Sequence, residues 1–196
     1  MNDKNIFNNE VIKIISLNEL YSDDDSISMF QKVMLVTDGT ISDLLRLYTR
    51  KRITVKKLMQ LIKVSGTEES NLCEHETQLL KREILLGTRG ENYIYADSLF
   101  NLSIMSTEMK IKLMETDIPI GIIWKEEKLD IFREIIEIKI EKCSNIINHF
   151  TVPPDTPFFS RTYMIYHNRK ILGIITEKFP ITYFRELGKA QKVINQ

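Results

Sequence analysis

The sequence is poor in the residues that build covalent, redox and metal centres. Its 196 residues include only two cysteines and three histidines. Cys73 and Cys143 lie far apart with no ligand-type spacing around either, so free thiols in a reducing compartment are expected. His75, His149 and His167 show neither metal-ligand spacing nor a paired nucleophile, and read as loop or surface residues. No metal and no organic cofactor is implied. Charge of one sign is also missing, because 27 Lys and Arg balance 27 Asp and Glu. No long-range field therefore draws the chain to nucleic acid or a membrane surface, and a charged ligand must be held by local groups. Uncharged apolar runs such as 118–124 are too short to span a bilayer. The first residues form neither an apolar signal core nor an Arg-rich amphipathic stretch. The expectation is action where the chain is made, in the cytoplasm, or in the stroma if the gene is plastid-borne.

What is present is ordinary globular material, 43% hydrophobic and 28% charged, in a length that suits one domain. Residues 1–25 read as a polar lead-in ending in the turn Asp23-Asp24-Asp25, which lacks the alternating ligands and glycine of a calcium loop. Residues 26–196 read as one domain. Asp38 or Thr40 can cap a helix on which Ile41, Leu44, Leu45 and Tyr48 recur at helical spacing. Residues 53–64 read as extended, with helix as the alternative, and 65–76 as a polar loop.

The second half has the marks of antiparallel sheet. Residues 77–86 and 93–102 are strand-like and joined by Gly87-Thr88-Arg89-Gly90, a hairpin connection. A phosphate-binding glycine loop is a poor alternative, since no helix start or lysine follows it. Ser106 to Glu115 reads as a short amphipathic helix, and Pro119-Ile120-Gly121 opens a turn or another helix. Ile136, Ile138 and Ile140 alternate with Glu137, Lys139 and Glu141, the period of a strand with one wet face. A Pro-rich bend at 152–157 precedes a final hairpin around His167-Asn168-Arg169, stopped by Pro180. Short connections between successive strands predict an α+β fold, with a single antiparallel sheet and helices packed on one side and covering a ligand site.

The informative residues are ionisable groups on apolar strand faces. Strand alternation puts Arg82 with Leu80, Ile84 and Leu86. Glu177 falls with Ile175 and Phe179, and Arg161 with Phe159, Tyr163 and Ile165. A guanidinium taken from water needs a partner, and its rigid fork suits a carboxylate. Either an internal Arg82–Glu177 ion pair or an anionic ligand satisfies the pattern. Desolvation of Glu177 would raise its pKa and keep it able to donate a proton. Arg50-Lys51-Arg52 reads as a solvated helix end rather than a nucleic-acid contact. Trp124 reads as core.

The sequence resembles the chorismate pyruvate-lyase family, above all its archaeal, cyanobacterial and plastid branch, from about Val33 to Phe184. The resemblance rests on Lys81-Arg82-Glu83-Ile84-Leu85-Leu86-Gly87 followed by Ala96-Asp97-Ser98-Leu99-Phe100, on Ile118-Pro119-Ile120-Gly121, and on Ser160-Arg161-Thr162-Tyr163 with Thr176-Glu177-Lys178-Phe179-Pro180. It implies cofactor-free cleavage of chorismate, a small-molecule substrate, to 4-hydroxybenzoate and pyruvate. On this resemblance Arg82 binds a substrate carboxylate and Glu177 is the other main polar contact. Ile120 offers a backbone contact and Ile41 closes over the ring. Arg161 is an added candidate, as a second carboxylate clamp or as a brace of the final hairpin. The downstream use of the product, in quinone or methanopterin synthesis, and the choice between monomer and homodimer stay open. The same superfamily holds the UTRA effector-binding domains of bacterial transcription regulators, so a non-catalytic sensor of an aromatic carboxylate is the alternative. No helix-turn-helix pattern precedes the matching region, which counts against it.

Overall fold

The computed structural model describes residues 9–22, 26–69 and 71–185; Asp23-Asp24-Asp25 lies outside them. Seven strands form one antiparallel sheet. They are β1 (Glu10–Ile14), β2 (Thr54–Val64), β3 (Gln78–Thr88), β4 (Glu91–Asn101), β5 (Ile131–Lys142), β6 (Phe158–His167) and β7 (Lys170–Pro180). Their order across the sheet is β1-β5-β6-β7-β4-β3-β2. Among the described residues five helices accompany them: α1 (Leu17–Leu20), α2 (Met29–Val36), α3 (Ile41–Thr49), α4 (Thr107–Glu115) and α5 (Ile120–Glu126). This is the α+β architecture expected from the sequence, and no helix among the described residues is long and apolar enough to cross a membrane.

Local chemistry explains the elements. The turn of the β3–β4 hairpin is Arg89-Gly90. At the β6–β7 hairpin both Asn168 and Arg169 have positive φ, 50° and 63°, as the twist of a two-residue hairpin requires. Ser28 caps α2 in a reciprocal capping box with Gln31, whose amide also donates to the carbonyls of Ile181 and Tyr183 at 2.8 and 2.6 Å. The start of α2 is thereby tied to the end of β7. Residues 53–64 resolve as strand β2, since tertiary pairing with β3 decides what periodicity left open.

The buried side chains of all five helices, among them Leu20, Leu35, Leu45, Leu113 and Ile123, join one core with the sheet residues Leu80, Ile84, Phe100 and Phe179. The helices therefore cover a single face. The segment after β5 covers part of the other face, where Cys143, Ile146, Ile147 and Phe150 pack on Leu85, Tyr95 and Phe158.

Two expectations need correction. Residues 10–14, read as lead-in, form an edge strand paired with β5. The face of β5 read as wet is closed at its far end. There Glu141 is buried and lies 2.6 Å from Lys178 Nζ through its Oε1. A bulge between Ile135 and Glu137 also turns Ile136 out to solvent, 52% exposed, while Ile138 stays buried. One extra residue shifts parity by one, so simple alternation fails along this strand.

β7 packs closely on β4 at Gly173. A Cβ there would stand 2.5 Å from the Leu99 carbonyl oxygen and 2.7 Å from a Phe100 ring carbon. Gly173→Ala is expected to cost about 1–3 kcal/mol, read as a lower thermal unfolding midpoint.

Candidate active site

The sheet register sets the site out in rows. Arg161 on β6 stands directly opposite Glu177 on β7, and Glu177 opposite Ala96 on β4. The next row runs from Tyr163 through Ile175 and Ser98 to Arg82 on β3. Arg82 and Glu177 thus flank β4, on strands about 10 Å apart. The β4 residues between them, Ala96 and Ser98, are small. Beneath the helices this leaves a cavity with about 530 Å³ of atom-free space, its mouth included.

Glu177 takes its nearest partner. Arg161 Nε donates to Glu177 Oε2 at 2.8 Å, and Arg161 Nη2 lies 2.8 Å from the same oxygen. The third nitrogen, Nη1, donates to the Thr37 carbonyl at 2.9 Å. The Arg161 guanidinium lies 5.0 Å from the Tyr163 ring centre. Burial, with the neighbouring Glu177 charge, pushes the Tyr163 hydroxyl far above its ordinary pKa, so it stays a neutral donor at the cavity wall. Glu177 is thus paired with Arg161 rather than isolated on its apolar strand face.

Arg82 is the converse. Its side chain is 2% exposed, yet its Nε and Nη2 make no hydrogen bond, and no acid among the described residues lies within ion-pair distance. Burial pulls its pKa down to about 10, partly offset by the more distant Asp117. The guanidinium remains charged at neutral pH. An unpaired buried cation costs several kcal/mol, which makes it the most demanding group in the fold.

Of the residues singled out from sequence, Arg82, Glu177, Ile41 and Ile120 all line this one cavity. Arg161 does not. Its three nitrogens engage Glu177 and the Thr37 carbonyl, a geometry that matches the bracing alternative of its two readings. Sequence reading missed Ser42, Trp124 and Arg133, which also face the cavity. Ser42 follows Ile41 within the resembling stretch, and Arg133 shares strand parity with Ile135. Neither signal was decisive without knowledge of what covers the sheet. Among the described residues no three His, Cys, Asp or Glu side chains gather as a metal site.

A single sheet under helical cover thus encloses a largely apolar cavity faced by a buried cation without an ion-pair partner. The family chorismate pyruvate-lyase Rv2949c-like matches residues 35–187, and the chain belongs to it. A protein of Methanocaldococcus jannaschii named "Putative lyase MJ0807" is 27% identical over 156 residues, covering 77% of this chain and 78% of that one. Among solved structures, the C-terminal domain of the histidine utilization repressor of Pseudomonas syringae shares the fold. Its TM-score is 0.54 at 12% identity, over 72% of this chain and all of that one. The effector domain of PhnF from Mycobacterium smegmatis does likewise, with a TM-score of 0.56 at 9% identity, over 74% and 90%.

The pairing makes opposite predictions for the two arginines. In ligand-free protein, Arg161→Met strands the buried Glu177 carboxylate and should lower unfolding free energy by about 3 kcal/mol. Arg82→Met removes an unsatisfied charge and should leave stability unchanged or raise it by about 1 kcal/mol. Denaturant unfolding of both variants measures this.

Proposed function

We propose that this protein is a chorismate pyruvate-lyase, cleaving chorismate to 4-hydroxybenzoate and pyruvate. The observation that carries the reading is the buried Arg82 guanidinium, unpartnered and facing an apolar cavity shared with Glu177. A stable fold keeps such a group when a ligand supplies the missing charge. Membership of the family supports the choice of ligand.

The reaction asks little of side-chain chemistry. The ether bond from the ring to the enolpyruvyl group breaks, its electron pair leaving with the oxygen. The hydrogen on the neighbouring ring carbon departs as a proton, and its pair makes the ring aromatic. Enolpyruvate regains one proton on carbon and becomes pyruvate. Arg82 clamps a carboxylate of the substrate through a bidentate contact and sets the ring's position, the main source of rate in such a step. Glu177, held as a carboxylate by Arg161, accepts a proton or hydrogen bond from the reacting edge of the ring. Ile41 and Ile120 close over the ring and exclude water, with Ile120 at the N-terminal end of α5 and Ile41 at that of α3.

The second reading is a sensor that binds an aromatic carboxylate without turnover, favoured by the likeness to effector domains of regulators. Purified protein mixed with chorismate separates the two: the lyase reading requires 4-hydroxybenzoate absorbance and pyruvate to appear together, and binding without products supports the sensor. Arg82→Ala should weaken both substrate and product by roughly tenfold or more. Glu177→Gln should mainly lower turnover, and full activity in that variant would remove Glu177 from proton handling.

A further inference from the structure

Arg82 and Glu177 account for one wall of the cavity. The opposite wall, built by the helices, contains a second set of unsatisfied donors. Ser42 in the first turn of α3 is 4% exposed and its Oγ has no partner. Trp124 on α5 is also 4% exposed, and its indole Nε1 has none either. Both line the cavity. A buried donor left unpaired is destabilising; two on one wall mark a place where an acceptor belongs.

The backbone adds to them. Thr40, at the N-cap of α3, makes no side-chain cap bond; the Asp43 N–H donates to the Thr40 carbonyl at 3.0 Å, which leaves those of Ile41 and Ser42 uncapped at the positive end of the dipole of this nine-residue helix. Gly39, Thr40, Ile41 and Ser42 all border the cavity. Two arginines from the sheet hold this end in place, Arg161 through the Thr37 carbonyl and Arg133 through that of Asp38. A Cβ on Gly121 would collide with Thr40, so glycine there lets α5 close directly onto the start of α3. The acid of the first turn, Asp43, is paired with Lys125 of α5. Arg133 lies over the Trp124 ring, 5.3 Å from its centre, and no carboxylate among the described residues lies within ion-pair distance of it.

We infer that Ser42 Oγ, Trp124 Nε1 and the N-terminus of α3, with Arg133 at the rim, form a second carboxylate subsite facing Arg82. Charge balance fits this assignment. Glu177 is neutralised by Arg161, which leaves Arg82 and Arg133 as two uncompensated cations for a ligand with two carboxylates. The inference rests on the proposed substrate: Arg82 takes one carboxylate and this subsite takes the other, on the enolpyruvyl arm. The subsite is thus the part of the cavity that distinguishes substrate from product, since 4-hydroxybenzoate has no second carboxylate.

The test compares two ligands across three proteins. Wild type, Ser42→Ala and Trp124→Phe are assayed for chorismate affinity, as KM where products form or by equilibrium dialysis where they do not, and for 4-hydroxybenzoate affinity by competition or dialysis. Ser42→Ala removes one donor and a single heavy atom; Trp124→Phe removes the indole N–H together with one ring of the indole. The expected result is a roughly tenfold loss for chorismate with 4-hydroxybenzoate changed less than about twofold. Equal weakening of both ligands, or no change in either, overturns the subsite while leaving the lyase reading standing. Wild type that binds 4-hydroxybenzoate but not chorismate also overturns it. Wild type that binds neither ligand overturns the function reading and the subsite with it. If Trp124→Phe does not fold, Ser42→Ala alone decides.

Discussion

The competition of two arginines for one carboxylate governs this structure. Glu177 lies opposite Arg161 and across an intervening strand from Arg82. Proximity settles the outcome, and Arg161 takes the carboxylate with two nitrogens while its third reaches the Thr37 carbonyl. Arg82 is left charged, buried and without a partner. Such a group lowers stability, and the proposed function accounts for its place under the helical cover.

The fold makes that arrangement affordable in space as well as in charge. β4 runs between the two functional strands and contributes Ala96 and Ser98 to the cavity floor, where larger side chains would fill it. The helical wall is anchored from the sheet through the carbonyls of Thr37 and Asp38, so the floor and the lid are positioned by the same arginine-bearing strands. Arg161 therefore has two duties, holding the Glu177 carboxylate in place and fixing the loop that starts α3. Neither is ligand contact.

The same single-sheet architecture appears in regulator domains at 9–12% identity and in the lyase family that includes this chain. A shared fold at that distance carries no shared activity. What separates the possibilities is local: which donors face the cavity unpaired, and whether a proton-accepting group stands beside them. Here both wall sets are donors, Arg82 on one side and Ser42 with Trp124 on the other, and Glu177 on β7 stands across β4 from Arg82.

Strand alternation, turn residues and caps were enough to anticipate one antiparallel sheet with helices on one face. The 3.6-residue spacing of Ile41, Leu44 and Tyr48, the glycines around Thr88 and Arg89, and Pro180 act through neighbours in the chain, so they can be read without knowing the fold. The same holds for Arg82 and Glu177, whose oddness is a parity effect along their own strands. The partner of each could not be read this way. The final hairpin sets β6 beside β7. The register shift between Ile165 and Tyr166, and the placing of β4, with β3 beyond it, on the other side of β7, are not specified locally. The choice of Arg161 over Arg82 therefore belongs to tertiary structure. So does the bulge at Ile136, which breaks the alternation of β5, and so does the meeting of Ser42 with Trp124, residues more than eighty apart in the chain. A chain's own periodicity fixes which face a side chain occupies; only long-range packing decides what stands across from it.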